Sequence, residues 1–298
     1  MKILVTGGAG FIGTEVCRLL VSQPDIQVLN IDCLSYAANL DGIKDLSLNE
    51  KYIFERGDIR DGSKIAALIE MFSPTAVIHL AAESHVDRSI DDSSEFISTN
   101  VVGTQVLLDC VLGYWKNLRL EEQRAFRFLH VSTDEVFGSL GEEGKFSEDS
   151  PYKPNSPYAA SKAASNHLVR AWNQTYGLPV LITNCSNNFG PYQFPEKLIP
   201  LVIGNALEGR PLPVYGSGQN IRDWLYVEDH ARALLLVIQK GRIGESYNIG
   251  GDSERKNLDL VKELCNIMDR LFPSSGIHSY SRLILFVEDR PGHDFRYS

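Results

Sequence analysis

Short apolar strands alternating with helical segments predict an α/β fold: a doubly wound, mostly parallel sheet covered on both faces by helices, with a smaller C-terminal lobe. Two observations carry that prediction. Strand-like runs recur at KILVT (2–6), QVLNID (27–32), 52–58, 76–82 and 126–132, with helical spacing between them, most clearly over 11–23, 62–71 and 94–112. A glycine-rich turn then joins the first strand to the first helix. Residues 139–157, rich in Gly, Glu, Ser and Pro, read as a loop. A helix is expected from Tyr158 to about Tyr176, stopped by Gly177 and Pro179, followed by a strand at 180–185. Beyond 190 the pattern loosens into helices near 196–208, 229–239 and 258–271 and strands near 212–215 and 221–227.

Composition narrows the function. The 298 residues include 38 acidic and 29 basic side chains, a formal charge of -9, so no broad face would attract nucleic acid or an anionic membrane. The five cysteines, Cys17, Cys33, Cys110, Cys185 and Cys265, are scattered without a C-x-x-C, which predicts reduced thiols with neither a metal site nor a disulfide framework. Met1 leads directly into a strand and no apolar run reaches ~18 residues, so no membrane segment and a cytoplasmic location are expected.

Gly7, Gly8, Gly10 and Gly13 lie in TGGAGFIG between the first strand and helix. Small residues there let the backbone approach a pyrophosphate, whose charge the helix N-terminus stabilises, and Gly13 permits close helix–strand packing. Glycines also serve ordinary turns, but a strand before and a helix after give the motif its Rossmann-type context. Asp32 closes the second strand, where a carboxylate accepts both adenosine ribose hydroxyls and repels a 2′-phosphate, favouring NAD over NADP. Asp58 and Ile59 at the end of the third strand would flank the adenine; Ala81, Ala82 and Ser84 at the end of the fourth would reach the ligand crevice.

Tyr158 and Lys162 form Y-x-x-x-K on one helical face. A common surface pair elsewhere, here it would place an ammonium beside a phenol, lowering the phenol pKa so that the oxygen accepts a proton from a sugar hydroxyl. Lys162 would also hold the nicotinamide ribose. Thr133, Asp134 and Glu135 follow the fifth strand at the C-terminal edge of the sheet. Thr133 could bond the reacting hydroxyl. The adjacent carboxylates exceed what redox exchange requires and point to an acid and a base for elimination.

TGGAGFIG, AAESHVDRSI, STDEVFG, Y-x-x-x-K and TNCSNNFGPYQFPEKLIP together resemble the extended short-chain dehydrogenase/reductase superfamily and, within it, the dTDP-glucose 4,6-dehydratase family. NIRDWLYVEDH and DRPGHDFRYS carry the resemblance to the C-terminus. It implies an NAD-dependent hydro-lyase acting on dTDP-glucose. Tyr158 takes the 4-hydroxyl proton as NAD accepts hydride from carbon 4, Glu135 removes the carbon 5 proton, Asp134 protonates the departing 6-hydroxyl, and the hydride returns to carbon 6. It further implies that Gly7, Gly10, Phe11, Ile12, Gly13, Asp32, Asp58, Ile59, Leu80, Ala81, Ala82, Ser84, Thr99, Tyr158, Lys162 and Asn187 serve the cofactor. Ser84, Thr133, Asn187, Glu196, Lys197, Leu198, Arg222, Asn257, Arg290, His293 and Tyr297 would serve the sugar nucleotide, with Arg222 and Arg290 as partners for its diphosphate. His85 is expected to line the site and His79 to sit in the core.

Residues 1–190 are thus expected to form the NAD-binding unit with the catalytic residues, and 191–298 mainly the substrate lobe, with some segments returning to the core. Family chains continue past R-Y, so this lobe is expected to be shortened. The resemblance also implies a homodimer through the helices near 94–112 and 158–176. Two other readings stand beside this one: a related nucleotide-sugar epimerase, decarboxylase or dehydratase, which product analysis would distinguish, and a catalytically silent NAD-binding homologue, which would bind NAD without turnover.

Overall fold

The computed structural model describes residues 1–273 and 278–298. Its centre is a wholly parallel seven-stranded sheet in the order β10-β6-β5-β4-β1-β2-β3. The strands are β1 (Lys2–Thr6), β2 (Gln27–Asp32), β3 (Tyr52–Arg56), β4 (Ala76–His79), β5 (Arg127–Thr133), β6 (Val180–Cys185) and β10 (Ser246–Ile249). Strand order reverses between β1 and β4, which opens a crevice at the carboxyl ends of the strands.

Alternate residues of the buried strands feed two cores. On one face α1 (Phe11–Ser22) and α8 (Val227–Lys240) cover Ile3, Val5, Val28 and Ile78. On the other, α2 (Gly62–Phe72), α4 (Ser94–Lys116) and α6 (Pro157–Tyr176) cover Leu4, Leu29, Val77 and Phe128. Helix α4 is long and apolar enough by composition to cross a membrane. Here it buries Leu107, Leu108, Val111 and Leu112 within the second core. Helix α6 starts as its sequence dictates: the Ser156 hydroxyl accepts from the Ala159 N–H at 3.1 Å, and Pro157 fills the first position, where an N–H is not needed. Gly177, at φ +77°, ends it.

The remaining lobe holds α7 (Leu198–Leu207), α9 (Asn257–Leu271), a β11-β9-β7 sheet and the parallel pair β12-β8 around a third core of Val202, Leu212, Val261 and Met268. Its strands are β7 (Asn187–Phe189), β8 (Leu212–Tyr215), β9 (Ile221–Tyr226), β11 (Glu254–Lys256) and β12 (Ile284–Val287).

Several boundaries differ from the sequence reading. Strand β3 ends at Arg56 and β4 at His79, so Asp58, Ile59, Ala81, Ala82 and Ser84 sit in the loops just past the sheet edge rather than in strands. Helix α4 extends to Lys116 and widens to a π-helix over Ile97–Gly103. Strand β10, only SYNI, lies in the main sheet, so α8 and β10 of the C-terminal third belong to the large body. The short helices α3 (Val86–Asp91) and α5 (Leu120–Ala125) and strands β7, β11 and β12 had no periodic signal to announce them.

Candidate active site

At the sheet's carboxyl edge, β1 turns into α1 through Gly7 at φ +77°. A Cβ on Gly7 would lie 2.6 Å from the Ala81 nitrogen, and one on Gly13 would lie 2.1 Å from the Gly7 carbonyl oxygen. Only glycine fits either place. No side chain caps α1, and no acidic residue lies in its first turn, where Phe11 and Ile12 face a cavity. An uncapped helix start beside a cavity suits a pyrophosphate. Asp32, buried at the end of β2, accepts the Ala9 N–H at 2.9 Å on one oxygen and the Leu34 N–H at 2.8 Å on the other. Each oxygen keeps a further lone pair for a ribose hydroxyl. Asp58 is held by Arg60 at 2.7 Å, which keeps its carboxyl below the usual range. These residues fit a bound dinucleotide. Gly13→Ala is expected to weaken NAD retention by about tenfold or more, since an unrelaxed overlap costs over 1 kcal/mol. Equilibrium dialysis of NAD against the variant checks it, and unchanged affinity would overturn this role.

The dinucleotide turn opens into a single cavity of about 750 Å³. Every residue assigned from the sequence to the cofactor, catalytic and substrate sets lines it; Gly8 of the glycine turn does not, its N–H donating instead to the Asn30 side chain at 3.0 Å. From the first four strands and the segments that follow them the assigned residues are Gly7, Gly10, Phe11, Ile12, Gly13, Asp32, Asp58, Ile59, Leu80, Ala81, Ala82, Ser84 and Thr99. Thr133, Asp134, Glu135, Tyr158, Lys162 and Asn187 stand at its middle. Glu196, Lys197, Leu198, Arg222, Asn257, Arg290, His293 and Tyr297 close the far end.

At the middle, Lys162 sends Nζ to the Val131 carbonyl at 2.9 Å, and burial lowers its ammonium to about 8. Tyr158 departs from the sequence expectation. Burial, with the charges of Glu135, Cys185 and Asp134, pushes its phenol well above the ordinary value. The one opposing influence is the Thr133 hydroxyl set against it. Burial therefore sets the direction of the shift, and Lys162, turned to the Val131 carbonyl, is not among the groups that move it.

The two carboxyls differ in their surroundings. Burial and the neighbouring Glu135 push Asp134 well above the carboxylate range, and Asp223 adds to the rise against the pull of Arg222. Its Oδ2 is buried without a partner. Burial also raises Glu135, but Arg290, Arg222 and Lys197 all oppose it. The surroundings therefore disfavour ionisation more strongly at Asp134 than at Glu135, which has three cations in its favour.

At the far end, Arg222 is buried and stacks 4.3 Å over the Tyr297 ring. Its Nη1 donates to the Ile221 carbonyl at 2.8 Å and its Nη2 to the Asp294 carbonyl at 3.0 Å. Tyr297 in turn donates to the Asp294 carboxylate. Arg290 pairs with Asp87 at 3.1 Å, and His293 with Asp289 at 2.6 Å. Lys197 reaches the Ser84 carbonyl at 3.1 Å, and Asn257, the first residue of α9, has a buried side-chain oxygen without a partner.

Sequence reasoning passed over Asp223, Asp294 and Asp87. Asp223, on β9, takes the N–H groups of Gly251 and Ser253, fixing the β10–β11 connection against β9. All three aspartates lie inside motifs that the resemblance had already marked. His79 is a core residue as expected, pushed down to about 3 by burial and bonded to Thr6 and Thr104.

A glycine-turn dinucleotide fold with Tyr, Lys and Thr at its crevice defines the class of short-chain dehydrogenase/reductase enzymes, here with an acid–base pair added. A family model described as GDP-mannose 4,6 dehydratase matches residues 4–297. The chain is 55% identical to the dTDP-glucose 4,6-dehydratase of Neisseria meningitidis serogroup B, over all of this chain and 84% of that protein. Among solved structures, it superposes with TM-score 0.88 and 45% identity on a Streptomyces venezuelae dTDP-glucose 4,6-dehydratase that has NAD bound, covering all of this chain and 88% of that one. A Bacillus cereus UDP-glucuronic acid 4-epimerase gives TM-score 0.86 at 29% identity, over all of this chain and 89% of that one. The chain belongs to the nucleotide-sugar 4,6-dehydratase family of extended short-chain dehydrogenases.

Proposed function

We propose that the chain converts dTDP-glucose to dTDP-4-keto-6-deoxyglucose and water with bound NAD. The observation that carries this reading is the Asp134–Glu135 pair, Asp134 buried and Glu135 half-buried, beside Tyr158. An epimerase needs no such pair. When bound, NAD supplies the hydride acceptor and donor and a positive ring near the phenol.

The chain's own residues do the rest. Tyr158 takes the proton of the 4-hydroxyl, and Thr133 bonds the same sugar oxygen. Oxidation at carbon 4 acidifies the neighbouring carbon 5 proton, which Glu135 removes as the more ionised carboxylate. Asp134 gives its proton to the 6-hydroxyl, so that water leaves, and Glu135 returns its proton to carbon 5 once carbon 6 has regained the hydride, which completes the 4-keto-6-deoxy sugar. Arg222 and Arg290 face the diphosphate, and Lys162 holds the nicotinamide ribose. The dinucleotide half lies in 1–190 and the sugar-nucleotide half mainly in 191–298. Helices α4 and α6, which leave Ile97, Val102 and Tyr176 exposed, are the face on which two copies would pair.

The test is incubation of the purified chain with dTDP-glucose deuterated at carbon 4, followed by mass spectrometry and NMR of the sugar. Loss of one water with the label at carbon 6 is expected. An epimer that keeps its 6-hydroxyl would overturn the dehydratase reading. NAD binding without turnover would mark a silent homologue.

A further inference from the structure

Helix α3 has six residues, too few to hold a helix by itself, and Ser89 alone within it is fully buried. What holds it is a set of polar contacts on two sides. On one side, the Ser89 hydroxyl donates to the Val86 carbonyl at 2.6 Å and accepts the backbone N–H of Tyr158 at 3.2 Å.

That second bond completes the cap of α6. Pro157 has no N–H, Ala159 donates to the Ser156 hydroxyl, and Ala160 donates to the Ser156 carbonyl at 2.9 Å. The N–H of Tyr158 is the one that the helix's own capping residue does not reach. Ser89 takes it from another element.

The other side of α3 and its cap residue His85 meet the substrate end of the cavity. Asp87 accepts Arg290 at 3.1 Å on one oxygen and the Tyr215 hydroxyl at 3.2 Å on the other. His85 accepts the Arg88 N–H on Nδ1 at 3.4 Å, which leaves its proton on Nε2, 3.4 Å from Glu196. Arg88 reaches the second oxygen of Glu196 at 3.2 Å. One short element therefore touches the backbone of the proton-transferring tyrosine and also Glu196 and Arg290 across the cleft.

We propose that α3 is a positioning element that keeps the substrate lobe in register with Tyr158, Ser89 acting as positioning residue for Tyr158 and Asp87 for Arg290. This rests on the dehydratase reading above. Neither side chain reacts: Ser89 fixes where the phenol stands, and Asp87 fixes where the guanidinium waits for a diphosphate.

The test compares Ser89→Ala and Asp87→Asn with the unaltered NAD-loaded enzyme on dTDP-glucose. Alanine is compatible with the helix and removes the cap together with the bond to the Val86 carbonyl, so kcat is expected to fall about tenfold, equivalent to ~1.4 kcal/mol, with KM little changed. Asparagine keeps the shape of Asp87 and loses its charge, so KM is expected to rise about tenfold, ~1.4 kcal/mol, with a smaller change in kcat. Hydrogen exchange at the amides of 158–162 gives a readout that needs no substrate. Both variants are expected to speed it, Asp87→Asn by acting through α3. Unchanged exchange at Tyr158 in Asp87→Asn, or wild-type kcat in Ser89→Ala, overturns the proposal. An unaltered enzyme that yields no dehydrated product defeats the dehydratase reading instead, and the exchange result then decides the role of α3.

Discussion

Replacing Tyr158 by Phe is expected to lower turnover by about 10²–10⁴-fold, the usual contribution of a positioned acid or base, while NAD stays bound. The ring of Tyr158 is buried and meets Phe96 edge-on at 6.3 Å between centroids. Phenylalanine keeps that packing and removes only the oxygen, so the fold and the glycine turn are unaffected. Lost with the oxygen is the acceptor for the 4-hydroxyl proton, without which carbon 4 is not oxidised and no later step begins. The burial that raises the free phenol's pKa is part of the argument. In a desolvated site a phenolate gains more from a nearby cation than it would in water, so its ionisation is coupled to the charges brought beside it. Steady-state rates and the carbon 4 label check the expectation together. The variant should neither dehydrate the sugar nor move deuterium. Turnover within threefold of the unaltered enzyme would remove Tyr158 from the chemistry.

The sequence made the large body legible because its signals are periodic. The β1–α1 glycines, the apolar strands and the Pro157–Gly177 boundaries of α6 each have a local physical cause. Motif residues from seven separate stretches then meet around one cavity, most of them because parallel strands deliver their carboxyl ends to the same edge. What stayed hidden is set by tertiary contact. Four-residue β10 is a strand because β6 offers it a partner, and α3 is a helix because Ser89, Asp87 and His85 find bonds elsewhere. The direction of the Tyr158 shift was misread for the same reason. Spacing places Lys162 on the right helical face, but only the fold reveals how deeply the phenol is buried and that the ammonium turns to Val131.

Asp134→Asn and Glu135→Gln are expected to stop the same reaction at different points. Both carboxyls are raised by burial, but Glu135 faces three opposing cations, whereas Asp134 has Glu135 and Asp223 to lift it and Arg222 to lower it. On the proposed function Asp134 would therefore be the proton donor and Glu135 the base. In Glu135→Gln the carbon 5 proton has no acceptor, so solvent deuterium should not enter carbon 5 and dehydration should fall by about 10²–10⁴-fold. In Asp134→Asn the base survives. Carbon 5 should continue to exchange while water loss slows by a similar factor, and the 4-keto sugar with its 6-hydroxyl intact should accumulate. The pH dependence follows with opposite signs. The acid must be protonated, so activity falls as pH rises through the raised value of Asp134; the base must be ionised, so activity falls as pH drops through that of Glu135. Because the two interact, the bell-shaped profile reports apparent values of the pair. The asparagine variant should lose the alkaline limb and the glutamine variant the acid limb of the residual rate. Equal loss of carbon 5 exchange in both would show that the carboxyls work as one unit, and the division of labour derived from their surroundings would fall.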